Sequence, residues 1–208
     1  MGTTLLSRVS GALRTLQRAM SFPATIISAA ALAACGGADS LLPAPNSENA
    51  DRQYQVWAMT GTAAALPAGY AFNTEQPVRP QILSGGGLNF DVAFDITADG
   101  KLVVLTAKAV VPAPPAGAPT IGMVPANPVY EQISRAPDGG YRPDSTITMT
   151  VGKAIILRLE NVGCPYSEPF YAKLTVDSIN VVERFAIVRS LIDKNCGYKS
   201  LTVGYPTN

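Results

Sequence analysis

Asp91 and Asp95 lie four positions apart in the run NFDVAFDIT, on the same face if that run is a strand. Paired carboxylates can serve as acid and base in glycoside hydrolysis. That chemistry needs carboxyl groups about 5 Å apart with retention, or up to about 9.5 Å with inversion. Four residues of strand span about 13 Å, so this pair needs a third acid from another strand to qualify. Otherwise the two acids simply mark a solvent face. Histidine is absent from all 208 residues. Its absence removes the commonest general base, the Ser-His-Asp arrangement and the usual zinc and copper sites. The run SGGG lacks the flanking glycine of a nucleophile elbow, and there is no Ser-x-x-Lys. VGKA lacks the upstream glycine and the final Ser or Thr of a phosphate loop. DITADG has the look of a calcium loop without its Asp-x-Asp-x-Asp-Gly spacing or its later glutamate. A hairpin turn at Asp99-Gly100 accounts for it. No catalytic residue, metal ligand or cofactor is assigned.

The three cysteines say more. Cys35 sits in LAACGG, after a segment with Arg8, Arg14, Arg18 and no acid, and after the apolar run AMSFPATIISAAALAA. That run is shorter than the roughly 20 residues that span a bilayer. A basic start, an apolar stretch and small residues at a cut site form a secretory signal. Leu32-Ala33-Ala34-Cys35 resembles the lipobox of bacterial lipoproteins. The resemblance covers about the first 35 residues. It implies that a diacylglycerol is attached to the Cys35 thiol, that residues 1–34 are cut away, and that the new amine is acylated. Each buried methylene contributes roughly 0.8 kcal/mol, so two or three chains hold firmly where one does not. Gly36 and Gly37 follow, with no aspartate of the kind that retains such lipoproteins on the inner membrane. The resemblance therefore implies an outer-membrane anchor if the cell is Gram-negative, with the domain periplasmic or at the cell surface.

In such an oxidising compartment Cys164 and Cys196 form an even pair, and a disulfide is expected. Closing that loop stabilises by about 3.5 kcal/mol in the chain-entropy account. The alternative, two thiols as metal ligands or a redox couple, lacks both a CxxC spacing and a histidine. Each cysteine follows an apolar run, at GCPY and NCGY. The two strand ends are therefore expected side by side.

The chain has 16 basic and 15 acidic residues, net +1. Losing residues 1–34 removes three arginines and no acid, leaving 13 against 15, net −2. Basic residues are scattered, so nothing marks a nucleic-acid surface. Trp57 could stack on a sugar ring or belong to the core. Tyr166, Tyr171, Tyr198 and Tyr205 fall near the cysteine pair and would form a recognition patch if they share a surface.

These residues must be positioned by strands. Residues 35–52 read as a lipidated N-terminus and flexible tether with a reach of roughly 20–25 Å. Residues 53–208 read as a single domain. QYQVW begins the strands, and VRPQIL is a short edge strand. Phe90, Val92, Phe94 and Ile96 alternate with Asp91, Ala93 and Asp95, as in a strand with one wet side. KLVVLTAKAVV is its hairpin partner. A stiff proline-rich loop occupies about 111–129, with six prolines between Pro112 and Pro128. Its Pro112-Ala113-Pro114-Pro115 is too generic to assign as a binding motif. VYEQISR is a short strand. STITMTVGKAIILRLENV is one bent strand or two, with Gly152 at the bend. YAKLTVDSINVV and ERFAIVRSLI form a second hairpin. The expected fold is all-β, an antiparallel sandwich or small barrel of roughly seven to nine strands.

The leading expectation for function is a membrane-anchored envelope lipoprotein. Its domain is a non-enzymatic binding or accessory module for an envelope protein, a glycan or a small ligand. The alternatives are a carboxylate-dependent hydrolase acting on a glycan or peptide, and a purely structural envelope protein.

Overall fold

The computed structural model describes residues 42–206 except 112, 117, 119 and 144. The signal segment 1–34, Cys35 and residues 36–41 lie outside the described residues. Two antiparallel sheets pack face to face in an all-β sandwich. The strands are β1 (Asp51–Trp57), β2 (Gly69–Ala71), β3 (Gln76–Val78), β4 (Val92–Ile96), β5 (Leu102–Thr106) and β6 (Thr120–Pro125). They continue with β7 (Arg142–Pro143), β8 (Thr146–Met149), β9 (Ala154–Glu160), β10 (Phe170–Asn180) and β11 (Phe185–Asp193). One sheet runs β1-β11-β10-β9-β6-β7 and the other β3-β2-β4-β5-β8. Eleven strands exceed the expected number because short edge strands and β6 are added.

The core between the sheets follows the period-2 rule that inward positions alternate along each strand. Val92, Phe94, Leu102 and Val104 of one sheet meet Leu157, Leu174, Val176 and Val188 of the other. The β4–β5 and β10–β11 hairpins form as the alternation predicts. Thr146–Met149 and Ala154–Glu160 are two strands in different sheets. Gly152, at φ +78°, turns the chain from one sheet to the other, a conformation that glycine adopts without steric cost.

Several local expectations fail for physical reasons. Phe90 does not face the core with Val92, because the chain bends at Asp91 before β4 begins. Phe90 packs instead with Ala93 and Ala107 in a small cluster on the other side, with Val78, Leu88 and Val110 around it. So the outer face of β4 is covered at Ala93 by the helical turn Ala107–Val110 and its neighbours, and stays partly wet only at Asp95. VRPQIL is not an edge strand. The edge strand is Gln76–Val78, which overlaps it only at Val78, and Ile82 makes a single bridge to Leu88. The proline-rich stretch hides β6, which pairs with both β9 and β7. Its prolines fall at or beyond its ends, where a missing N–H is tolerated. VYEQISR forms no strand: Tyr130–Gln132 is a 3₁₀ turn.

That turn belongs to a second core on the outer face of the larger sheet. Tyr130, Ile133, Ala136 and Leu201 close over Ala154, Ile156, Tyr171 and Leu191. Buried Lys173 fastens this cover by donating to Tyr130 O (3.1 Å) and Ile133 O (2.9 Å). Lys173 Nζ at 4.4 Å and the Arg189 guanidinium at 4.7 Å both lie over the Tyr130 ring. Its hydroxyl donates to Asp51 Oδ1 at 2.5 Å.

From residue 42 onward the chain expected as tether is docked. Asn195 Oδ1 accepts from the Asn46 and Ser47 amides (2.8 and 3.1 Å), and its Nδ2 donates to Ser47 O (2.8 Å). Tyr198 OH donates to Pro43 O, and Asn49 pairs with Gly204 through both backbone bonds. Asn49 is 2% exposed, so this segment is part of the folded body.

Candidate functional site

The sheets part at one end of the sandwich. There the end of β2, the turn into β3, the lead into β4, the end of β9 and the start of β10 surround a cleft of about 570 Å³. Asp91 is its acid. The Asp91 amide donates to Tyr70 O (2.9 Å), and its Oδ2 accepts the Phe72 amide at 2.7 Å. The carboxylate thus ties the turn after β2 to the start of β4. Burial pushes the Asp91 carboxyl above its ordinary range, while the Phe72 bond pulls it back. Asn73, Asn89 and Asn161 add amides to the wall, and Phe90, Leu159, Val162 and Phe170 add apolar surface. Asn89 also holds the rim, accepting from the Gln81 amide and donating to Arg79 O. Asn161 stands at φ +60°, where the chain leaves β9, a region that asparagine enters more easily than most residues.

Asp91 and Asp95 are not brought together. Asp95 takes no part in the cleft: it accepts from Thr60 Oγ1 (2.9 Å) and Arg184 Nη2 (3.0 Å) at the opposite end of β4. The cleft wall carries one carboxylate, half of what the two-acid glycosidase scheme uses. What the arrangement offers is an acceptor of raised proton affinity, amides that both donate and accept, and phenyl edges. This is the makeup of a pocket that orients a small polar group against an apolar wall.

Cys164 and Cys196 form a disulfide, with Cα atoms 5.6 Å apart. They follow β9 and β11, which flank β10, so the bridge passes across the start of β10 instead of joining adjacent strands. The four tyrosines do not share a surface. Tyr166 is 89% and Tyr205 59% exposed, whereas Tyr171 is 4% and Tyr198 7%. Tyr171 points to the outer face of β10 under Tyr141, with ring centroids 6.1 Å apart. Tyr198 is turned inward by its bond to Pro43. Trp57 is half-buried at the end of β1 against Phe185. Asp99 is engaged by Lys101 Nζ at 2.7 Å, in the hairpin turn that resembled a calcium loop. No group of three or more Cys, Asp or Glu among the described residues could hold a metal ion.

The cleft residues Asn73, Asn161 and Phe170 carried no motif. The one trace in the sequence is the loss of alternation at Asn161-Val162-Gly163. No family model matches the chain, and no curated protein or solved structure matches it either.

Proposed function

We propose that this chain is a lipid-anchored protein of a bacterial cell envelope, whose β-sandwich is a non-enzymatic binding or accessory module working through the end cleft. The observation that carries the reading is the cleft itself, a concave site with one carboxylate among amides and phenyl edges. Such a wall selects a ligand with hydrogen-bond donors and an apolar side, found on a glycan, a peptide or a small molecule. The lipobox-like Leu32-Ala33-Ala34-Cys35 supports the anchor, and Gly36-Gly37 supports the outer membrane in a Gram-negative cell. The hydrolase reading lacks its second acid in the cleft.

The test is a photo-crosslinking amino acid at Asn73, on the cleft rim, in intact native cells. The same group at Val182, which is 94% exposed, is the control. A recurrent adduct at position 73 that is missing at 182, and is lost or altered in Cys35→Ala, supports the reading. Identical products at both positions, or none at 73 from a lipidated protein, overturn the cleft as the binding site.

A further inference from the structure

The docked N-terminal segment shows from which end of the domain the chain runs on toward residue 35, the starting point of an inference that rests on the lipid-anchored reading. Seven Cα steps separate Cys35 from Leu42, a reach of at most about 25 Å when fully extended. Leu42 already lies against the body, within 2.8 Å of where a Cβ on Gly197 would stand. Gly197 is next to Cys196, and its amide donates to Pro169 O. The chain therefore leaves for its anchor from the disulfide end.

At that same end the 3₁₀ turn Pro165–Ser167 projects Tyr166. Tyr166 is 89% exposed, the most exposed tyrosine of the described domain. Tyr166 and Ser167 both take positive φ, +56° and +59°. Such a conformation costs of the order of 1 kcal/mol or more and persists only when neighbours impose it. Here the bridge at Cys164 and the Glu168 amide bond to Pro165 O (3.2 Å) impose it. The turn is thus braced to hold an aromatic ring outward. Tyrosine has an apolar body and a polar tip, the combination that settles at the headgroup level of a bilayer.

We propose that the disulfide end faces the bilayer and that Tyr166 seats in its headgroup layer, so that the domain rests on the membrane with a set orientation. The cleft, bounded in part by Asn161, Val162 and Phe170, then lies at the membrane-proximal end of the domain.

The experiment uses the full lipidated chain in phosphatidylethanolamine–phosphatidylglycerol vesicles, with Trp57→Phe and Tyr166→Trp, so that one indole reports. Trp57→Phe with Val182→Trp reports from the far hairpin tip. Flotation with the vesicles establishes the anchor independently. In the Tyr166→Trp protein the indole emission should shift to the blue and be quenched by a headgroup-level nitroxide lipid. Its iodide quenching should fall severalfold relative to the same protein carrying Cys35→Ala. The Val182→Trp protein should show none of this. A protein that floats while the indole at position 166 stays as open to iodide as in the Cys35→Ala form overturns the proposed seating and leaves the anchor standing. A protein that does not float overturns the anchor, and the seating with it.

Discussion

Arg184 Nη2 stands 3.0 Å from Asp95 Oδ1 and joins the two sheets at the end of the sandwich opposite the cleft. Arg184 lies in the β10–β11 turn at φ +57°. Its guanidinium also donates to Thr60 O (2.8 Å) and Ile96 O (2.8 Å). One side chain thus ties the β10–β11 turn to acceptors in two other segments, the loop after β1 and the end of β4.

Arg184→Ala should lower stability by about 1–2 kcal/mol, since charge-assisted bonds are lost at a site that water partly screens. Arg184→Lys should recover little of this, because an ammonium cannot match the fork of donors. Urea midpoints of the three proteins measure it, and an unchanged midpoint in Arg184→Ala would show that the pair holds nothing.

Reducing the Cys164–Cys196 bond should cost about 3–4 kcal/mol, the closure entropy of its loop. Denaturation with and without a thiol reductant gives the difference. Hydrogen exchange should rise first at Gly197 and Tyr198, whose amides donate to Pro169 O and Asn195 O.

Asp193→Asn should change the pH dependence of stability. Asp193 is fully buried. Its Oδ1 accepts from the Asn195 amide and side chain, and its Oδ2 lacks a partner. Burial raises its carboxyl above the ordinary range, against the pull of Asn195 and Asn49. A carboxyl raised in the folded state contributes stability below its unfolded pKa of about 4 and loses it as pH rises through the folded value. The asparagine keeps the accepting oxygen, supplies a donor in place of Oδ2 and does not ionise. The variant should therefore gain on the native protein between about pH 4 and neutrality. Parallel melting curves across that range would refute the assignment.

Gly122→Ala should destabilise by about 1–3 kcal/mol through overpacking. A Cβ there would stand 2.8 Å from Tyr141 Cβ, and β7 is held beside β6 at this point. Thermal unfolding of Gly122→Ala beside Gly139→Ala, where no atom lies within 4 Å of the added carbon, separates crowding from the loss of a glycine.

Local signals made the hairpins legible. Val92, Phe94 and Ile96 alternate into Asp99-Gly100, and a two-residue period with a tight turn needs no distant information. The disulfide was legible from the cysteine count and from the compartment that the lipobox-like stretch implies. What escaped the sequence was non-local. Tyr171 and Tyr198 read as surface residues because their covers, Tyr141 and Pro43, come from elsewhere in the chain. Strand β6 was masked by surrounding prolines, although Thr120-Ile121-Gly122-Met123-Val124 is itself an ordinary strand sequence. The cleft is assembled from the β2–β3 turn, the lead into β4 and the β9–β10 connection, and no single stretch announces it.

β1 sits at the edge of its sheet and pairs with β11, from Asp51 opposite Leu191 to Trp57 opposite Phe185. The first strand made is thus completed by the last. A chain growing or threading from its N-terminus cannot close this sheet until nearly all of it has emerged, and contacts so distant in sequence slow closure further. Until β11 has emerged, β1 has no strand to pair with, so the six-stranded sheet is the last of the two to be completed.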